Sequence, residues 1–464
     1  MEYFVPEDSF CLKKDKGAYA VVKESKLKKN SFNGPLLAVE SGKRDKKLLF
    51  GKRPYNNLII DSDYYERGLD NYFCTSISKK IKLDNAPSFI LLSDTSKLYD
   101  ENIDNFTTAG YRVYNFDFQN PDKSDKFAPL KDLFDQRQSF IDEEKLTPAA
   151  ASEKLSFFAK NFIKALFSWD EKSPFEFATI ELLEAYLLAM LEDGVNLDNF
   201  TPLTFYKKVY QKDLETKDTY DKIEKYFATK SDFVKSKAST FLDFNLKAKS
   251  SMYKTMLQKI NYLKDKKLNE FLTVESLDID DFVAYPSVIF IKHNNNPASI
   301  YSHFTNLLID KIITKLLDKA RTTLVGQLPK HIDIFIENIL TLGKINIMPY
   351  IMTLGRSRNI STSMLVSSYE DIKLIYQEEA DIIISNCTNT LMFACKDKET
   401  VENVCQFAVP VKGTIYAGKI ATKNEKRIMT SKAYIKADLD SIDDDEYLLK
   451  ISTRSLTRSK WQTN

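Results

Sequence analysis

Glycine is scarce in this sequence, with 12 glycines among 464 residues, against a usual share of roughly 7%. A fold that binds phosphate on bare backbone amides normally uses more glycine than this. The phosphate-loop pattern G-x-x-x-x-G-K-[ST] is absent, as are the patterns G-x-S-x-G and H-E-x-x-H. The sequence therefore contains no standard nucleotide-binding, serine-hydrolase or zinc-protease motif.

Cysteine and histidine are also rare, with five and three residues respectively. The cysteines are odd in number and form no C-x-x-C pair, which favours free thiols in a reducing compartment over disulfides or a metal site. The histidines, His293, His303 and His331, are scattered along the chain. We interpret each as a structural or surface residue, and we predict no metal site.

Neither charge nor hydropathy identifies a partner. The chain has 67 basic and 65 acidic residues, a formal charge of +2, which does not demand a nucleic-acid or membrane partner. No apolar stretch approaches the ~20 residues needed to span a bilayer, and the N-terminal residues MEYFVPEDSF lack a signal-peptide pattern. We expect a cytoplasmic chain, or one held at the inner face of the cell membrane through partners.

The apolar pattern predicts an α/β fold interrupted by helices. Short continuous apolar runs, typical of buried parallel strands, alternate with helical spacing in two parts of the chain, whereas residues from about 140 to 272 show helical spacing alone. The predicted strands are NLIID (57–61), SFILLSD (88–94), YRVYNFDF (111–118), SVIFIKH (287–293), HIDIFIEN (331–338), STSMLVSS (361–368) and TLMFACK (390–396). Together they predict one mostly parallel sheet with an inserted all-α domain.

This pattern divides the chain into four parts. They are a Lys-rich N-terminal segment (1–48), the first part of the α/β core (49–138), the all-α insert (139–275) and the second part of the core (276–464). Two candidate edge strands, AYAVV (18–22) and PLLAV (35–39), lie in the first segment. Its lysines predict a solvated face, with a nucleic-acid patch as the alternative.

Two polar stretches beside apolar runs are candidate functional residues. Glu337 and Asn338 end the run HIDIFIEN, where a nucleotide hydrolase keeps its magnesium carboxylate, although a solvent-facing strand end gives the same pattern. Arg356 and Arg358 lie two apart before a strand, so both could point the same way and bind phosphate or a neighbour's carboxylate. A surface salt-bridge pair is the alternative for the arginines.

A series of short motifs occupies residues 343–405. In order, they are GKI (343–345), RSRNIS (356–361), Tyr376 at the end of a predicted helix, and NC (386–387). Their order and spacing resemble the coupling proteins of type IV secretion and conjugation, the TraG/TraD group. Residues 88–130 and the segments AYPSVIFIKH and DDDEYLLKI resemble the family too, so the resemblance covers nearly the whole chain from about residue 50.

The resemblance implies a RecA-like, P-loop-type sheet flanked by helices with an inserted all-α domain, in agreement with the apolar pattern. It also implies a role in conjugative DNA transfer and, for an active member, ATP and magnesium as cofactors. The family carries N-terminal membrane helices, which we do not find in this sequence.

The residues at the family's ATP-binding positions differ in this chain. Gly68 takes the position of the phosphate-loop hydroxyl and Arg67 that of the lysine, while Glu337 takes the position of the magnesium aspartate and Asn338 that of the catalytic glutamate. The family's D-P-K-G-E strand becomes SDTSK (93–97), and its glutamines fall at Ser367 and Asp371. The positions of the phosphate loop are occupied by Asp61, Ser62, Asp63, Tyr64, Tyr65, Glu66, Arg67 and Gly68.

These replacements oppose nucleotide binding in several independent ways. Tyr64 and Tyr65 would fill the space in which glycine amides converge on phosphate. Each acidic side chain would repel a triphosphate, at a cost of ~3 kcal/mol for one charge at ~5 Å and an effective dielectric constant of ~20. Gly68 lacks the hydroxyl that binds magnesium, and Asn338 cannot act as a general base.

We therefore predict a catalytically degenerate relative of the coupling proteins, a pseudo-ATPase without cofactor. It would act as an adaptor, a substrate receptor or the partner of an active paralogue in a conjugation or secretion complex, with Arg356 or Arg358 serving a neighbour's site in trans. Two alternatives stay open: an active ATP-driven, magnesium-dependent DNA translocase with an unusual phosphate site, and a nucleotide-independent DNA-binding module. DNA binding is open for the pseudo-ATPase, and the oligomeric state is open in all three.

Overall fold

The computed structural model describes residues 19–30, 32–40, 47–62, 67–118, 120–167, 173–293, 300–405, 446–451 and 456–460. The chain divides into two compact units. The sheet unit comprises Met1–Asn115, Ile279–Pro297 and Ile312–Asn464, and the helical unit comprises Phe116–Asp278 and Ala298–Lys311. The main segment of the helical unit thus runs from 116 to 278, compared with 139–275 from the sequence alone.

The main sheet has the order β12-β11-β10-β4-β9-β8-β5-β7-β6. Neighbouring strands from β10 to β7 are parallel, whereas β11 and β12 extend the sheet with antiparallel pairs. The strands are β1 (Tyr19–Lys23), β2 (Leu36–Glu40), β3 (Lys47–Gly51), β4 (Asn56–Asp61), β5 (Ser88–Ser93), β6 (Arg112–Asp117), β7 (Ser287–Lys292), β8 (Ile332–Ile336), β9 (Ile360–Val366), β10 (Cys387–Ala394), β11 (Glu446–Ile451) and β12 (Leu456–Lys460).

The central strands are rich in apolar residues and are buried on both faces. Every residue of β4, β5, β8 and β9 is buried, which is the pattern expected of parallel strands covered on both sides. Each of the seven predicted strands is present with its ends within a few residues of the predicted ones. The predicted α/β class, with a mostly parallel sheet, is confirmed.

The N-terminal strands form a separate sheet. The segments predicted as edge strands overlap β1 and β2, and both pair with β3 in an antiparallel sheet of order β1-β3-β2. Both therefore lie at the edges of that sheet, and its central strand, β3 at Lys47–Gly51, was not predicted. This strand also crosses the predicted boundary at residue 48.

The helices connect the parallel strands and build the helical unit. A π-helical segment, Arg67–Cys74, precedes α1, and short 3-10 helices include Glu24–Lys29 and Gly355–Arg358. The α-helices are α1 (Thr75–Lys80), α2 (Lys97–Thr108), α3 (Lys131–Asp142), α4 (Pro148–Phe167), α5 (Pro174–Glu192), α6 (Pro202–Val209), α7 (Lys217–Ala228), α8 (Asp232–Leu242), α9 (Leu246–Ile260), α10 (Lys266–Phe271), α11 (Ile279–Ala284), α12 (Ile300–Thr322), α13 (Ile339–Leu342), α14 (Met348–Leu354), α15 (Tyr369–Tyr376), α16 (Ala380–Ser385) and α17 (Lys398–Cys405).

The helical unit is organised around α5. This helix is apolar on all sides, and its residues from Ala178 to Leu191 are buried, as expected of a central helix. The Ser173 side chain accepts a hydrogen bond from the Glu176 amide at its start, as the Ser-Pro sequence predicts. Its two buried glutamates are compensated by Lys237 of α8, which lies 3.1 Å from Glu181 and 3.0 Å from Glu184.

A buried ion pair joins α1 to the sheet. Lys80 Nζ lies 2.6 Å from Asp333 Oδ2 of β8, and the two side chains are only 2% and 3% exposed. The other carboxylate oxygen accepts a hydrogen bond from Ser361 at 2.6 Å and lies 3.0 Å from His331 Nε2. Burial alone would raise the pKa of Asp333, but Lys80 and His331 hold it well below its usual value.

Replacing Lys80 by Met should lower the free energy of unfolding by about 3 kcal/mol, because Asp333 would keep its charge in the core without the cation. Denaturant titration measures this loss. Lys79→Met is the matched control, since the neighbouring Lys79 pairs with Glu24 at 2.5 Å in a partly exposed position and should contribute less than about 1 kcal/mol. Equal losses in both variants would contradict a specific role for the buried pair.

Candidate functional site

The junction after β4 contains the residues predicted to replace a phosphate loop. Asp61 ends the strand, Ser62 follows it, and Gly68 lies in the helical segment Arg67–Cys74. The remaining predicted loop residues, Asp63, Tyr64, Tyr65 and Glu66, and the side chain of Arg67 lie outside the described residues.

Asp61 binds the chain's own backbone at this junction. Its side chain is completely buried, and its Oδ2 accepts a hydrogen bond from the Gly68 amide at 2.9 Å. In a phosphate loop, such an amide at the start of a helix would point at the ligand anion. Here the Asp61 carboxylate, and not a ligand anion, accepts the hydrogen bond of the Gly68 amide.

Gly68 lies against the sheet with no space for a side chain. A Cβ atom at this position would stand 2.3 Å from Leu365 Cδ1 and 3.3 Å from Ile59 Cγ2. Both neighbours are fully buried, so relieving the contact would require the core to shift. The position that carries a hydroxyl in the family therefore cannot take Ser or Thr without repacking.

Glu337 follows β8 and turns its carboxylate towards the end of β5. The carboxylate accepts hydrogen bonds from the hydroxyls of Ser93 and Thr95, the latter at 3.3 Å. Because Glu337 is only 5% exposed, burial, with the nearby charge of Asp94, raises its pKa to about 7 despite these hydrogen bonds. Glu337 thus exchanges a proton near neutral pH.

Asn338 supports the backbone that follows. Its Oδ1 accepts hydrogen bonds from the amides of Leu340 and Thr341 at 3.1 and 3.4 Å, which caps α13. Its Nδ2 donates to Asp94 Oδ2 at 3.1 Å. Both ends of the amide therefore have protein partners.

Sequence reasoning did not connect His293 with these residues. His293 Nε2 lies 3.0 Å from the Thr341 hydroxyl, which donates to Asp94 Oδ2 at 3.0 Å. Burial lowers the pKa of His293 to about 4, although the charge of Asp94 opposes the effect. Their positions in the sequence could have indicated the contact, because His293 and Asp94 each directly follow an apolar strand.

The two candidate arginines do not point the same way. They lie in the 3-10 helix Gly355–Arg358 rather than in an extended strand, so two positions along the chain correspond to about two-thirds of a turn. Arg358 Nη1 donates to the Gly326 carbonyl at 2.7 Å, whereas Arg356 is exposed. The expectation of a shared direction is wrong because it assumed strand geometry.

The remaining family positions also have partners within the protein. Asp371 Oδ2 accepts hydrogen bonds from the amide and the hydroxyl of Ser367, each at 2.6 Å. In the described ranges, no cluster of His, Cys, Asp and Glu side chains is arranged to hold a metal ion. Nor does any helix there combine the length and apolar character needed to cross a membrane.

The free energy of unfolding of Glu337→Gln, relative to that of wild type, should increase as the pH rises from 4.5 to above 7. In this window the folded chain keeps the Glu337 proton and the unfolded chain has lost it, so wild-type stability falls with pH by up to about 3 kcal/mol through this residue. Denaturant titrations of both proteins at several pH values measure the difference.

Taking the difference between the two proteins removes the opposing contribution of His293, whose low pKa makes stability rise with pH between about 4 and 6.5. Glu402→Gln, at an exposed position of α17, is the matched control for the loss of one glutamate. If the difference in unfolding free energy between Glu337→Gln and wild type did not vary with pH, the raised pKa of Glu337 would be contradicted.

Comparison with known proteins tests the family and the fold. The family model described as "Type IV secretory system Conjugative DNA transfer" matches residues 93–408. No curated protein sequence matches the chain.

Solved structures of the bacterial conjugative coupling protein TrwB share the fold. An unbound form, TrwBdeltaN70, matches with a TM-score of 0.58 and 11% identity over 96% of this chain and 92% of that one. TrwB in complex with a non-hydrolysable ATP analogue matches with a TM-score of 0.56 and 11% identity over 96% of this chain and 93% of that one. These matches confirm the RecA-like fold, and the family match establishes that the chain belongs to the type IV secretory system conjugative DNA transfer family.

Proposed function

We propose that this chain is a member of the conjugative DNA transfer family that has lost ATP hydrolysis. It would act as an adaptor, a substrate receptor or the partner of an active paralogue in a conjugation or secretion complex. The observation that carries the proposal is the hydrogen bond from the Gly68 amide to the buried Asp61 carboxylate at 2.9 Å.

This hydrogen bond opposes phosphate binding in two ways. The Gly68 amide already has an anionic acceptor, so a phosphate would have to displace Asp61 from a buried position. Any phosphate near the helical segment would also face the Asp61 charge, which costs ~3 kcal/mol at ~5 Å for an effective dielectric constant of ~20. Millimolar to micromolar nucleotide affinity corresponds to only ~4–8 kcal/mol.

The second half of the site supports the same proposal. A magnesium ion would need an ionised, available carboxylate and the loop hydroxyl. Glu337 is hydrogen-bonded to Ser93 and Thr95 and has a raised pKa, while the packing of Leu365 leaves no space for a hydroxyl side chain at position 68. We propose that the chain uses neither ATP nor magnesium.

The competing candidate is an active ATPase with an unusual phosphate site. One observation favours it: Glu337 remains an ionisable carboxylate at the end of β8, with Asp94 nearby. Such a protein would bind magnesium-ATP and would need Glu337 for turnover.

Isothermal titration calorimetry of the full chain with ATP or ADP, each with magnesium, distinguishes the two candidates. We expect affinity weaker than ~1 mM, a binding free energy of less than ~4 kcal/mol, because the site has lost both its anion-binding amide and its magnesium hydroxyl. Hydrolysis assays on wild type, Glu337→Gln and the exposed control Glu402→Gln complete the test. Micromolar binding, or hydrolysis that Glu337→Gln abolishes and Glu402→Gln retains, would contradict the proposal.

The partner role needs a separate experiment. Affinity capture of the tagged full chain from cells that carry the conjugative element should recover components of a transfer or secretion complex, identified by mass spectrometry. Recovery of an active family member would support the paralogue role, whereas recovery of a DNA substrate protein without one would support the receptor role.

A further inference from the structure

The turn between α12 and β8 presents two apolar side chains to solvent. Leu324 is fully exposed and Val325 is 78% exposed. We call residues 323–327 the apolar tip. Covering these side chains would contribute ~1.5–3 kcal/mol for each one that is fully buried.

Hydrogen bonds fix the backbone of the apolar tip. The Gly326 amide donates to the Thr323 carbonyl at 3.1 Å, and the Gln327 amide donates to the Thr323 hydroxyl at 3.0 Å. Gly326 has a φ of +68°, a conformation that favours glycine. The exposure of Leu324 and Val325 is therefore a property of an ordered turn.

Arg358 holds the apolar tip from the 3-10 helix that precedes β9. Its Nη1 donates to the Gly326 carbonyl at 2.7 Å, and its own carbonyl accepts from the Leu328 amide at 3.1 Å. A Cβ on Gly326 would stand 2.9 Å from Nη1, so the guanidinium lies directly against the turn. Arg358 is thus a positioning residue for the apolar tip.

Basic and aromatic side chains accompany the apolar tip. Arg321 precedes it on α12 and donates to the Tyr350 hydroxyl at 2.7 Å, and Tyr350 is itself 43% exposed. Arg356 is exposed on the same 3-10 helix as Arg358, and Lys330 follows the tip before β8.

Two acidic side chains on neighbouring elements have basic partners: Asp318 pairs with Arg321 at 2.8 Å, and Asp280 pairs with Lys319 at 2.6 Å. The charged side chains named for this region are thus five basic ones and two acidic ones; the basic ones are Lys319, Arg321, Lys330, Arg356 and Arg358.

We propose that the apolar tip inserts into the headgroup region of an anionic lipid bilayer, with the surrounding basic side chains binding the lipid phosphates. The combination favours a bilayer over a protein partner. A stable protein interface needs ~1,200–2,000 Å² of buried area, far more than two aliphatic side chains supply. Projecting apolar side chains, a partly exposed tyrosine and surrounding cations are typical of peripheral membrane contact.

Vesicle flotation with the purified full chain tests the proposal. We expect binding to vesicles of phosphatidylcholine with phosphatidylglycerol, little binding to phosphatidylcholine alone, and loss of binding as salt screens the charges. Leu324→Ser/Val325→Ser should weaken the partition coefficient at least about tenfold, because two aliphatic groups lose their burial. Arg356→Gln should weaken it by about fivefold, the contribution of one cation near the surface.

The control variant is Leu374→Ser, which removes another leucine that is 71% exposed in the sheet unit and should bind as wild type does. Arg358→Met should weaken binding like the double serine variant, because it releases the tip without changing it. Thermal melts check that each variant is folded.

Three results would overturn the proposal: no binding of wild type to anionic vesicles, equal binding by the double serine variant, or equal losses in Leu374→Ser. Light scattering adds a fourth: if wild type self-associates and the double serine variant is monomeric, the tip contacts a second copy of the chain instead. All of these outcomes are independent of nucleotide binding, so the proposal stands or falls separately from the proposed function.

Discussion

The hydrogen bond from the Gly68 amide to the Asp61 carboxylate fixes the junction between β4 and the helical segment that follows it. Parallel strands end at one edge of the sheet, and the polar groups that follow them must all be satisfied there. A nucleotide satisfies such groups in an active motor. In this chain the Asp61 carboxylate accepts a hydrogen bond from the Gly68 amide. The Glu337 carboxylate accepts from the hydroxyls of Ser93 and Thr95. The Asp94 carboxylate accepts from the Asn338 amide group and the Thr341 hydroxyl. Among the described residues, these groups therefore bind one another at the ends of the strands.

These contacts also make single substitutions at the site costly. Removing Asp61 would take the carboxylate acceptor from the Gly68 amide, and adding a side chain at position 68 would push against Leu365. Removing Asp94 would take an acceptor from both Asn338 and Thr341. Each substitution would lower stability through the neighbouring residues, because residues in one hydrogen-bonded network are not independent.

Sequence reasoning predicted the central strands well, because continuous apolar runs bounded by polar residues have few other solutions in an α/β protein. It missed β3, whose residues KLLFG follow a Lys-rich stretch and gain their strand character from pairing with β1 and β2. It also identified Asp61, Glu337 and Asn338 as altered positions. Their partners were not predictable, since the contact of Glu337 with Ser93 depends on the pairing of β8 with β5 across 244 residues of chain.

The contacts of the two arginines were likewise not predictable from the sequence. Their motif predicted binding to phosphate or to a neighbour, but a 3-10 helix before β9 directs Arg358 to the carbonyl of Gly326. This contact lies where β8 and β9 begin, whereas Asp61 and Glu337 lie where parallel strands end. Where the strands end, the described polar groups of the site pair with one another, whereas at the beginnings of β8 and β9 an ordered turn exposes Leu324 and Val325 to solvent. The apolar tip, held by Arg358, is therefore a second surface through which the sheet unit could make contacts, at the opposite ends of these strands from Asp61 and Glu337.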